Sequence, residues 1–180
     1  MNQTSLLVGA ALAAALLASP ACSMANEAAC EYAIALVDRG DPTTIDEALR
    51  SFDACLSSAS VVGDGRARMH VFRGSLLLQA GRAAEAQQDF QAAIALRSQP
   101  SVYDYHYLAA AYAQSSQYDQ AYATLDRARE VVLKMDPRRH RALLDQLESL
   151  RLKYRAQEAN QGKRDARISS SCSRVISMPA

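Results

Sequence analysis

The chain has 180 residues, 49% of them hydrophobic but only 6% aromatic, with 7 glycines and 5 prolines. That length supports one domain with a sizeable core, and an alanine-rich, glycine-poor composition favours closely packed helices over strands. The net charge of +1 selects no partner, but it is uneven: residues 1–135 carry 10 basic and 14 acidic side chains (−4), and residues 136–180 carry 10 and 5 (+5), a balance suited to an acidic surface, a phosphate polymer or anionic lipid.

Residues 1–25 read as a secretory signal. Leu6 to Ala18 is an uninterrupted apolar run of thirteen, right for the hydrophobic region of a signal and short for a spanning helix. "MNQTS" before it supplies no Lys or Arg. "SMA" before Asn26 satisfies the small-x-small rule for cleavage. Alternatively "SPAC" resembles a bacterial lipoprotein box, with the signal ending at 21 and Cys22 acylated, although Ser19 and Pro20 are unusual there. Acylation would hold the protein to a membrane without spanning it. An uncleaved anchor reaching Ala25 is the competing reading. The expected location is the periplasm, or a membrane surface facing it.

Helix boundaries are then legible in order. Glu27 to Arg39 has helical composition and stops at Gly40. Thr44 and Glu47 form a capping box for a helix to about Ser58. Asp64 is placed to cap a helix over 65–80, which Gly81 ends. Helices are expected over 83–97, over 102–115 with Ser101 as cap, and over 118–135. Asp136-Pro137 opens a last one, reaching Gln161. Residues 162–180, basic and then serine-rich, lack a helical period and are expected to be disordered.

The helices pair up, and their second members repeat. Ala48, Phe52, Cys55; Ala86, Phe90, Ala93; and Ala121, Leu125, Ala128 write small, large, small at steps of four and three, with periods of 38 and 35 residues. Those steps keep all three positions on one face, where small residues let antiparallel helices approach closely. Leu143, Leu147, Leu150 and Tyr154 then form one apolar stripe, as a terminal capping helix over 136–161 needs; a coiled-coil dimer is the competing reading.

Of the cysteines, Cys30 lies thirteen residues before the turn near Thr43 and Cys55 twelve after. Equal distances mean equal height on paired helices, so a Cys30–Cys55 disulfide is expected, in competition with two buried thiols. No cysteine pair has a zinc-like spacing, and Cys172 has no evident partner.

A period near 34 with a helix-turn-helix in each unit resembles the tetratricopeptide repeat. The resemblance rests on Gly74, Leu77, Gly81, Ala86, Phe90 and Ala93 in a unit over 67–100, and on Leu108, Ala109, Tyr112, Tyr118, Ala121, Leu125 and Ala128 in a unit over 102–135. A unit over 29–62 matches only in its second helix, with Leu36 and Arg39 off pattern; His70 and Arg73 depart where the family has tryptophan and leucine. The fold this implies is all-α: a right-handed solenoid of about three antiparallel hairpins over 26–135, with a C-terminal capping helix. The resemblance also implies that the first helices line a concave groove for a peptide or helix. The groove positions would be Arg68, Phe72, Ser75 and Gln79, then Tyr103, His106, Ala110 and Gln114, with Tyr107 at the edge. The competing reading has Tyr105 in the core and Tyr103 and Tyr107 covering hairpin edges. The residues by which some members clamp a C-terminal carboxylate are replaced by Val71, Ser75, His106 and Ala110.

Nothing in the sequence points to catalysis. The three histidines (His70, His106, His140) are scattered, and no HExxH, nucleophile elbow or phosphate loop occurs. The expectation is a non-enzymatic scaffold of the cell envelope that binds another envelope protein, with no cofactor, metal or nucleic acid. The alternative is a membrane- or polymer-associated structural protein acting through its basic tail.

Overall fold

The computed structural model describes residues 20–135 and 137–176, with side chains over 28–135 and 140–168. The apolar run over 6–18, Asp136 as a cap and residues 177–180 lie outside the described residues. Seven α-helices follow one another: α1 (Pro20–Arg39), α2 (Ile45–Ser57), α3 (Gly63–Gln79), α4 (Ala83–Leu96), α5 (Val102–Gln114), α6 (Tyr118–Leu133) and α7 (Pro137–Ile176), with one 3₁₀ turn at Pro42–Thr44 and no strand among the described residues. The fold is all-α.

Each helix packs on its chain neighbours, and first helices of successive pairs also touch, α1 with α3 and α3 with α5. The small positions are where this packing happens: Ala48, Ala86, Ala93, Ala121 and Ala128 are at most 1% exposed. Between them Phe52 and Phe90 are the largest of the fully buried side chains. Gly74 on α3 lets Phe90 in. A Cβ there would stand 2.8 Å from Phe90 Cε1 and 3.2 Å from Asp89 Cβ. In the first pair Ala33, fully buried, supplies the small residue that Leu36 does not. Cys30 and Cys55 are joined there as a disulfide, with Cα atoms 4.8 Å apart.

Helix ends partly follow expectation. Gly40 and Gly81 take positive φ (65° and 75°) just past α1 and α3. Ser101 caps α5 in a full capping box with Asp104. The box expected from Thr44 and Glu47 does not form. Asp41 accepts from Thr43 N instead, capping the 3₁₀ turn; Thr44 Oγ1 donates back to the Asp41 carbonyl, and Glu47 accepts from Tyr32 OH. Nor does Asp64 cap α3, whose N-cap is Val62; Asp64 sits inside the first turn.

Two further expectations change at α7. The stripe Leu143, Leu147, Leu150 and Tyr154 packs into the cluster of Ala121, Leu125, Ala128 and Val132, so it is spent within the chain rather than on a coiled-coil partner. The helix does not stop at Gln161 but continues to Ile176, so the basic residues over 162–168, expected to be disordered, are helical.

Candidate functional site

Touching first helices run level with each other. Gln114, one period after Gln79, donates from Nε2 to the Leu78 carbonyl at 3.2 Å, tying the end of α5 to the end of α3. The residues expected to line a groove fall into two groups on this surface. Arg68, Gln79 and Tyr103 are exposed, Tyr103 at 56%, and His106 is half-buried. Phe72 and Tyr107 are structural instead. Phe72 stacks on Phe52 with centroids 6.2 Å apart, and Tyr107 on Phe90 at 5.5 Å, so both are half-buried and close the core. Tyr107 is therefore core-packing as well as edge-covering. Arg68 holds its guanidinium 5.2 Å above the Phe72 ring. Ser75 bonds to its own helix at the Val71 carbonyl, and Gln114 is occupied by α3.

His106 lies flat against Tyr107, centroids 5.6 Å apart and planes 3° from parallel. Burial, with the charge of Lys153 on α7, holds its imidazole below the ordinary histidine value. It is therefore neutral at pH 7, an amphipathic surface next to an exposed tyrosine. Lys153 brings α7 to the edge of this face.

A buried ionic network was not foreseen. Asp89 on α4 is 3% exposed and accepts from three groups on α3: His70 Nδ1 at 2.8 Å, Arg73 Nε at 2.8 Å and Arg73 Nη2 at 2.6 Å. Arg73 Nη1 reaches on to Asp53 of α2 at 2.6 Å. Burial pushes the Asp89 carboxyl up, but the hydrogen bonds and charges of Arg73 and His70 outweigh it and hold it below the ordinary carboxylate range. This explains His70 and Arg73 at positions where apolar residues were expected: together they neutralise one buried carboxylate. The signal was present, since Asp89 stands three after Ala86 and four before Ala93, on the buried face. No group of three or more His, Cys, Asp or Glu that could hold a metal occurs among the described residues.

No protein-family model matches the chain, and no curated protein matches it in sequence. Among the described residues no helix is long and apolar enough to cross a membrane.

Proposed function

We propose that the chain is an exported tetratricopeptide-repeat adaptor of the bacterial cell envelope, non-enzymatic, which holds a peptide or helix of another envelope protein across α3 and α5. The observation that carries this reading is the exposed Tyr103 beside the neutral, half-buried His106, on first helices that touch each other. A tyrosine with two side-chain torsions offers contact area at low ordering cost. Arg68 and Gln79 are exposed on α3. The small-large-small packing of three successive helix pairs supports the solenoid, and the disulfide agrees with an oxidising compartment. Attachment through an acylated Cys22 belongs to the same proposal.

A second reading, a membrane- or polymer-associated structural protein, is favoured by exposed Lys153, Lys163 and Arg164 on α7. Salt separates the two: binding through exposed cations collapses as ionic strength rises, and binding through an aromatic face tolerates it.

The direct test places a photo-crosslinking amino acid at Tyr103 and, separately, at Arg50 on α2. A partner joined at 103 and not at 50, and lost from a Tyr103→Ala/His106→Ala protein that keeps its helicity, is the expected result. Equal crosslinking at both positions, or unfolding of the double variant, refutes the groove.

A further inference from the structure

Where α7 runs on past the α5–α6 turn, it forms one wall of a cavity of about 610 Å³. That wall carries Gln157, Asn160, Lys163 and Arg164; Ser116 and Tyr118 stand opposite at the turn. The two sides are tied together, because Gln161 Oε1 accepts from Ser116 Oγ at 2.6 Å and from Tyr118 OH at 3.3 Å. No carboxylate lines the cavity among the described residues. Glu158, which lies next to the wall in sequence, is engaged with Tyr122 OH on α6 at 2.8 Å.

The ordinary use of basic residues on a helix surface is pairing with an acid three or four residues away. Lys163 has Ala159, Asn160, Ala166 and Arg167 at those distances; Arg164 has Asn160, Gln161, Arg167 and Ile168. Neither has an acid within reach along α7. The cavity therefore sets Lys163 and Arg164 against a fixed wall, with no carboxylate in its lining among the described residues.

The amides narrow the ligand. Gln157 and Asn160 each present an N–H donor and a carbonyl acceptor, whereas a phosphate group offers acceptors and would leave those carbonyls unmatched. A peptide backbone offers both. We propose that this cavity binds an acidic peptide segment, whose carboxylates meet Lys163 and Arg164 while its backbone pairs with Gln157 and Asn160. The site lies beyond the α5–α6 turn and does not depend on the α3–α5 face.

The test is fluorescence anisotropy of a labelled tetraglutamate peptide with the full chain. Replacing Lys163 or Arg164 by Gln should weaken binding about tenfold for each lost charge-assisted contact. Neutralising two exposed arginines elsewhere, Arg50→Gln/Arg141→Gln, should change it little. Gln157→Leu/Asn160→Leu should weaken the peptide but not tripolyphosphate. Circular dichroism checks that each variant keeps its helices. The proposal is overturned if the peptide does not bind, if Arg50→Gln/Arg141→Gln weakens it as much as Lys163→Gln or Arg164→Gln does, or if tripolyphosphate or vesicles of anionic phospholipid bind more tightly than the peptide and lose that binding with Lys163 and Arg164.

Discussion

The α3–α4 and α5–α6 pairs share a pattern at an offset of 35 residues, yet they are held together differently. Where α3–α4 has His70, Arg73, Gly74, Asp89 and Phe90, α5–α6 has Tyr105, Leu108, Ala109, Thr124 and Leu125. In α3–α4 a buried carboxylate takes three hydrogen bonds from the facing helix. In α5–α6 Thr124, 6% exposed, donates to its own helix at the Gln120 carbonyl, and Leu108 is buried where Arg73 would be. Size compensates in the same way. Phe90 needs a glycine opposite, while the smaller Leu125 shares its cluster with a fully buried alanine, Ala109. One hairpin geometry is thus reached by two internally consistent sets, one polar and large, one apolar and small. The lesson is that the set, rather than the position, is the unit to exchange.

Breaking one member of the polar set should have the largest effect. Asp89→Ala leaves His70 without its acceptor and Arg73 with the exposed Asp53 alone, and should cost about 3–5 kcal/mol in urea unfolding. Copying the other pair's whole set, His70→Tyr/Arg73→Leu/Asp89→Thr, should recover most of that loss, since a buried ion pair is often no more stabilising than well-packed apolar residues. A triple variant as unstable as Asp89→Ala would mean that the two pairs are not equivalent.

The first pair adds a covalent tie that the other two lack among the described residues. Cys30→Ala/Cys55→Ala should lower stability by about 3 kcal/mol, the value expected for a closed loop of this length. Thermal melts with and without reductant check it: reductant should affect the parent protein and leave the variant unchanged.

Gly74→Ala sharpens the size comparison. Its methyl would enter the space of Phe90 and should cost about 1–3 kcal/mol. Adding Phe90→Leu, which recreates the Ala109–Leu125 combination, should make the double variant more stable than the sum of the single changes. Strict additivity would show that Phe90 yields without strain.

The smallest effect concerns pH. Asp89 titrates below its unfolded value, so its contribution is complete above the ordinary carboxylate range and is lost as pH falls through the lowered value. Between about pH 5 and pH 3 the parent should therefore lose more stability than the triple variant. Asp41 is shifted in the same direction through Thr43, which both proteins keep, so it cancels in the difference.

Ser116, at the turn of α5–α6, shows why a local rule was not enough at that point. It takes φ 61°, the conformation that Gly81 supplies after α3. A side chain there costs of order 1–2 kcal/mol, but its hydroxyl bonds Gln161 and ties the turn to α7. Of the candidate groove positions, which only the resemblance implied, Arg68, Gln79 and Tyr103 are exposed. The inward roles of Phe72 and Tyr107 were not legible, because a helix face is some 100° wide and its edge residues turn inward or outward according to the neighbour they meet.

The sequence by itself determined the number and order of the helices, the stops at Gly40 and Gly81, the buried small-large-small faces and the level placement of Cys30 and Cys55. All of these are properties of one helix or one hairpin, carried by period, capping chemistry and distance from a turn. Only the tertiary structure decided that Asp89 meets His70 and Arg73, that Glu47 meets Tyr32 rather than boxing with Thr44, and that the basic residues after Gln161 stay helical against the α5–α6 turn. In the last case α7 is already nucleated by its packed stripe, and Ala, Gln, Lys and Arg extend a formed helix at little cost even without an apolar period. The common physical reason is that a period says which side chains share a face, while the partner of that face is set by how helices far apart in the chain come to rest against each other.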